Sequence, residues 1–140
     1  MKTIFTIFLS FFLAKGCSDT SDIDNAVIEY QALSRGFYKT IKIENKNVSV
    51  VNARDEKPTE LTLTKQDWKE LVEAFREINL ENMKNLKAPT SKRLYDGAAH
   101  ANITISLEGK TYTTDGFDHG YPPVEIENFI NKLVLLTIKE

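Results

Sequence analysis

Residues 26–54, AVIEYQALSRGFYKTIKIENKNVSVVNAR, carry the pattern that decides the fold. Ile28, Tyr30 and Ala32 alternate with Glu29 and Gln31, so one face of an extended segment is apolar and the other polar. After Ser34-Arg35-Gly36 the alternation resumes, with Phe37, Ile41 and Ile43 on one face and Tyr38, Thr40 and Lys42 on the other. A polar turn at ENKN (44–47) leads into VSVVNAR. β-Branched and aromatic residues at period two, punctuated by turn residues, predict a meander of three short antiparallel strands. Such a sheet has one apolar face, and something must cover it.

The cover begins with TKQDWKELVEAFREI (64–78), where Trp68, Leu71, Val72, Phe75 and Ile78 recur at helical spacing. Thr64 is a natural N-cap, and Asp67 three residues on completes a capping box. On this stripe Trp68 reads as core. Before the helix, residues 55–63 form a loop around Pro58, with room for a short strand at ELTL. After it, Leu80, Met83 and Leu86 punctuate an irregular connection and should lie down on the core. A hairpin follows. In AAHANITISL (98–107) Ala99, Ala101, Ile103, Ile105 and Leu107 share one side, Glu108-Gly109 is a two-residue turn, and KTYTTDGF returns. PPVEIENFINKLVLLTIK (122–139) starts a last helix at proline and aligns Ile126, Phe129, Ile130, Leu133 and Val134. The expectation is one α+β domain over 26–140: an antiparallel sheet of about five strands with two amphipathic helices on one face.

The chain has 140 residues, of which 41% are hydrophobic and 27% charged, with a formal net charge of −2. That excludes a disordered chain and leaves no basic stripe for nucleic acid. The first residues, MKTIFTIFLSFFLAKGC, place Lys2 before an apolar run from Thr3 to Leu13 that is too short to cross about 30 Å of hydrocarbon. This is the anatomy of a secretory signal over 1–16. Cys17 is the single cysteine, and a lone cysteine cannot staple a secreted fold internally.

LAKGC (13–17) resembles the lipobox of bacterial lipoproteins, in which the cysteine is acylated and becomes the mature N-terminus. Gly16 and Cys17 match; Ala14 and Lys15 depart toward the relaxed boxes of Bacteroidetes-type lipoproteins. The resemblance implies an acylated Cys17, a mobile polar tether over 17–25, and a bacterial envelope location at a membrane, the outer one by preference. Several acyl chains on one residue give durable anchoring where one gives little. Removal of Lys2 and Lys15 would leave the 20 acidic side chains in clear excess. PTSKRLYDGAAHAN (89–102) together with FDHGYPP (117–123) is similar to a group of small lipoproteins, chiefly from flavobacteria. That resemblance spans most of the mature domain and carries no activity or binding residue.

Chemistry has one place to gather. If Leu107 pairs with Lys110, counting back sets Asn102 opposite Asp115 and His100 opposite Phe117. His100 and Asp115 then form a diagonal pair on the polar face, about 7–8 Å apart at the backbone. Asp96, Asp118 and His119 lie at the same end. A carboxylate beside a histidine suits general acid–base work, and two histidines with an aspartate can hold zinc with an open position. No His-x-x-x-His spacing, Gly-x-Ser-x-Gly elbow or glycine-rich phosphate loop accompanies them. The structural reading is the stronger: Asp-Gly at 96–97 and 115–116 is turn chemistry in which glycine supplies positive φ. Asp118 can cap nearby amides, and Arg35 or Arg93 can pair with the loop carboxylates.

In DGFDHGYPP (115–123), Asp115-Gly116 is expected to end the strand and Pro122-Pro123 to set the helix entry, with Tyr121 extended. His119 should then be a loop residue, bonded locally or solvated. The functional expectation is a lipid-anchored, non-enzymatic envelope protein that binds a protein or a cell-wall or glycan ligand, inhibitor-like in size, without metal or cofactor. Tyr38, Tyr95 and Tyr121 are the candidate contact aromatics. The alternative is a small metal-dependent or His/Asp hydrolase at the 96–119 hairpin end, with His100, Asp115 and His119 as its catalytic candidates.

Overall fold

The computed structural model describes residues 23–138. Its strands are β1 (Val27–Ser34), β2 (Phe37–Glu44), β3 (Asn47–Val51), β4 (Thr59–Leu61), β5 (His100–Leu107), β6 (Lys110–Thr113) and β7 (Phe117–Asp118). The helices are α1 (Lys65–Arg76) and α2 (Glu127–Leu136), with 3-10 turns at Leu80–Asn85, Lys92–Tyr95 and Val124–Ile126. Every pairing is antiparallel. The sheet order is β4-β3-β2-β1-β5-β6, with β7 beside β5. The chain is a single α+β domain; beyond the five strands expected, β4 overlaps the short strand allowed for at ELTL, and β7 is added. At three and two residues they are too short to display a period.

Two hairpins are set by their turns. Asn45 and Lys46 both take positive φ between β2 and β3, as do Glu108 and Gly109 between β5 and β6. Positive φ at both loop residues matches the right-handed twist of the flanking strands. With the registers so fixed, Ile28, Tyr30, Ala32, Ile41, Ile43, Val48, Val50, Ala101, Ile103 and Ile105 share one face and are buried. The opposite face carries polar residues such as Glu29, Gln31, Lys42 and Thr104, which are half-buried or exposed.

The helices cover the apolar face. Thr64 and Asp67 form the capping box reciprocally, at 3.0 and 3.2 Å. Leu71, Val72, Ala74 and Phe75 of α1 are buried, as are Phe129, Ile130, Leu133 and Leu136 of α2. The helices meet through Phe75 and Phe129, whose rings stand edge to face at 5.8 Å. Trp68 is only half-buried at the margin of this layer, not in its centre. Met83 and Leu86 are buried and Leu80 packs on the core, so the 80–86 connection closes the layer beyond α1.

Two expectations are corrected. Ile23, placed in the polar tether, is fully buried, and Asp24 pairs with Lys46 at 3.5 Å. An isoleucine within reach of an apolar face gains about 1.5–3 kcal/mol by leaving water, and so joins the core. The hairpin register also changes along its length. Leu107 pairs with Lys110 and Thr104 with Thr113, but then Ala101 pairs with Phe117 and His100 with Asp118. One extra residue is inserted at 114–116, a bulge. It turns Phe117 to the covered face, where it is fully buried. The uninterrupted count would have put that ring opposite His100, in water.

Candidate functional site

The bulge redistributes the residues at the hairpin end. Asp118, now opposite His100, is fully buried beneath the segment 90–93. Its Oδ2 accepts from the Thr90 hydroxyl at 2.5 Å and the Lys92 N–H at 2.6 Å. Its Oδ1 accepts from the Arg93 N–H at 2.9 Å and the Arg93 guanidinium at 3.0 Å. Burial raises the carboxyl pKa, but the Thr90 hydroxyl and the Arg93 and Lys92 donors outweigh it and hold it down to about 2. A buried, ionised carboxylate therefore straps the chain from Thr90 to Arg93 onto β7. The Arg93 guanidinium also donates to Thr90 C=O at 3.0 Å, which closes the strap on itself.

What the strap holds out is apolar. Leu94 is 76% and Tyr95 70% exposed, immediately after the clamped residues. Asp96 then takes φ 61°, and the Gly97 N–H donates to Lys92 C=O at 2.7 Å. Here it is the aspartate, not the glycine, that adopts the left-handed conformation. Gly97 is needed for space, since a Cβ there would come within 2.9 Å of the Tyr95 ring. Lys92 Nζ donates to the Tyr121 hydroxyl at 3.0 Å and lies 4.2 Å from that ring's centre. Tyr121 is held by its own turn: its N–H donates to Asp118 C=O at 2.9 Å, with Gly120 at φ 95°. Leu94, Tyr95 and Tyr121 thus project from one clamped framework. Tyr38 stands apart on the open face, beneath the Arg54 guanidinium at 5.4 Å.

The two histidines diverge. His100 is exposed on the open face, and its ring occupies the space above Gly116, where a Cβ would fall 2.1 Å from Nε2. Gly116, too, serves by lacking a Cβ and not by positive φ. His119 points to the covered face, where its Nδ1 lies 2.6 Å from the Tyr30 hydroxyl and its ring 4.9 Å from that of Phe37. It is therefore bonded across 89 residues of chain and not locally. Burial, then the Lys39 charge, lowers its pKa and favours the neutral ring. Burial likewise raises the Tyr30 pKa, so the phenol stays protonated and shares one hydrogen bond with Nδ1. Asp115 is exposed at the bulge, directly after Thr114, which pairs with Ile103. No group of three or more histidine, cysteine, aspartate or glutamate side chains that could hold a metal ion occurs among the described residues.

Cys17 lies outside the described residues, and among those described no helix is long and apolar enough to cross a membrane. Of the strap, Arg93 and the capping role of Asp118 were legible as pairing chemistry, whereas Leu94 carried no signal. A single leucine in a polar run looks the same whether it folds inward or is held outward. No family model matches the chain, and neither a curated protein nor a solved structure shows detectable similarity to it.

Proposed function

We propose that this protein is a lipid-anchored, non-enzymatic binding module of the bacterial envelope, tethered through Cys17. Its contact surface is the strap tip, Leu94 and Tyr95, with Tyr121 beside it. The supporting observation is the clamp itself: four hydrogen bonds on buried Asp118 fix a segment whose next two side chains are large, apolar and exposed. Fixing a loop before binding lowers the ordering cost of association, and exposed aromatic anchors on a rigid base are the usual energetic centre of an interface. The ligand class is a protein, or a cell-wall or glycan ligand. Catalysis has less support, because the two histidines of the hairpin end point to opposite faces of the sheet.

The test joins anchor and surface. In native cells, radiolabelled fatty acid should enter the protein but not its Cys17→Ser variant. Crosslinking on intact membranes should yield a discrete adduct that is lost in Leu94→Ala/Tyr95→Ala, while that variant melts as the unaltered protein does. Equal labelling of both proteins would remove the anchor, and an undiminished adduct in the double variant would remove the surface.

A further inference from the structure

Among the described residues no strand pairs with the outer edge of β6, which borders a groove of about 630 Å³. One wall is the run Lys110–Asp115, and the other is Leu80, Glu81, Met83 and Lys84. The ladder decides which backbone groups face it. Lys110 closes the hairpin opposite Leu107, and the Thr114 N–H donates to Ile103 C=O at 3.1 Å. Residues 110, 112 and 114 therefore direct their backbone groups at β5, and antiparallel alternation turns those of Thr111 and Thr113 outward, into the groove. The bond that crosses the groove, from the Tyr112 hydroxyl to Glu81 at 3.4 Å, is between side chains and leaves those backbone groups uninvolved.

The two sides of the edge differ in chemistry. On the covered side lie Tyr112, Leu80 and the buried Met83. On the open side the Thr111 and Thr113 hydroxyls pair with Ser106 and Thr104, each at 3.2 Å. Lys110 and Asp115 put opposite charges at the two ends of the wall.

We infer that the β6 edge takes an extended segment of another polypeptide as an added strand. Its side chains alternate, apolar ones toward Tyr112, Leu80 and Met83, hydroxyl or amide ones toward Thr111 and Thr113. An acidic residue beside Lys110 and a basic one beside Asp115 complete the match. Main-chain bonds supply affinity in such strand addition, and the alternate side chains supply selectivity. The assignment stands without the Leu94–Tyr95 surface.

To test it, the purified protein is panned against a displayed library of short random peptides, and a selected peptide is synthesised. Selected peptides should show the apolar/hydroxyl alternation and should slow hydrogen exchange at the Thr111 and Thr113 amides. They should bind Thr113→Pro at least about tenfold more weakly, since an outward N–H is removed while the β5 ladder stays whole. Leu94→Ala should bind them as the unaltered protein does, which separates this edge from the strap. If Thr113→Pro fails to fold, the exchange measurement on the unaltered protein decides alone. Failure to select any peptide, or protection at other amides, would overturn the assignment. So would Thr111 and Thr113 amides already protected in a concentration-dependent dimer, which would make a second copy of the chain the occupant.

Discussion

Asp118 accepts four hydrogen bonds while shut off from water, and each donor on it comes from the strap. Asp118→Asn keeps the shape but turns an amide NH2 toward N–H or O–H donors, so at least one buried pair becomes repulsive. The expected loss is about 2–4 kcal/mol in chemical denaturation. The sign with pH follows from the depressed pKa. The carboxylate's contribution is complete above its ordinary value of 3.8 and is lost as pH falls toward about 2. Amide exchange at Lys92 and Arg93 should accelerate over that window while the core amides of β1 hold. His119 titrates in the same sense at higher pH. Its folded pKa lies below 6.5, so below pH 6.5 the unfolded chain takes up the proton first and stability declines. His119→Ala leaves the buried Tyr30 hydroxyl without its hydrogen-bond partner, at about 1–3 kcal/mol. It should also flatten that decline. Adding Tyr30→Phe should recover part of the loss, and no recovery would mean that the hydroxyl is satisfied otherwise.

At the scale of elements, the decisive feature is the bulge between β6 and β7. Thr114 sits in it, buried, and stands in for missing ladder geometry: its N–H donates to Ile103 C=O, and its hydroxyl accepts from the Ile103 N–H at 3.2 Å. Thr114→Val preserves volume and removes that acceptor. The orphaned Ile103 N–H should cost about 1–3 kcal/mol and exchange faster than its neighbours in β5. An unchanged melting temperature would show that the bulge is held by Phe117 burial alone. The helices need no such device. The capping box, the apolar stripes and the proline entry are local patterns, and α1 and α2 form where those patterns lie. Trp68 is the exception within α1. Helical spacing aligns it with Leu71 and Val72, but how deeply a residue at the end of a stripe is covered depends on its neighbours from distant sequence, and Trp68 packs on the core only half-buried.

For the whole molecule, Ile23 extends the core on the N-terminal side of β1. Truncating a fully buried isoleucine to alanine typically costs about 2–5 kcal/mol, so Ile23→Ala should destabilise the domain as a core substitution does. A melting curve indistinguishable from the unaltered protein's would return Ile23 to the tether. What the amino-acid sequence determined by itself is what local interactions dictate: strands from period-two alternation, helices from 3.6-residue stripes and caps, the Glu108-Gly109 turn, and therefore an α+β domain with one covered face. What only the tertiary structure decided are the things that depend on competition between distant groups. The bulge exists because Phe117 gains more in the core than a regular register gains in pairing. That one inserted residue then sets Asp118 opposite His100, beneath a strap from 25 residues and more up the chain, and His119 against Tyr30. No local pattern encodes a register shift, since a strand reads the same on paper whichever face it presents, and only the burial of a particular ring selects between them.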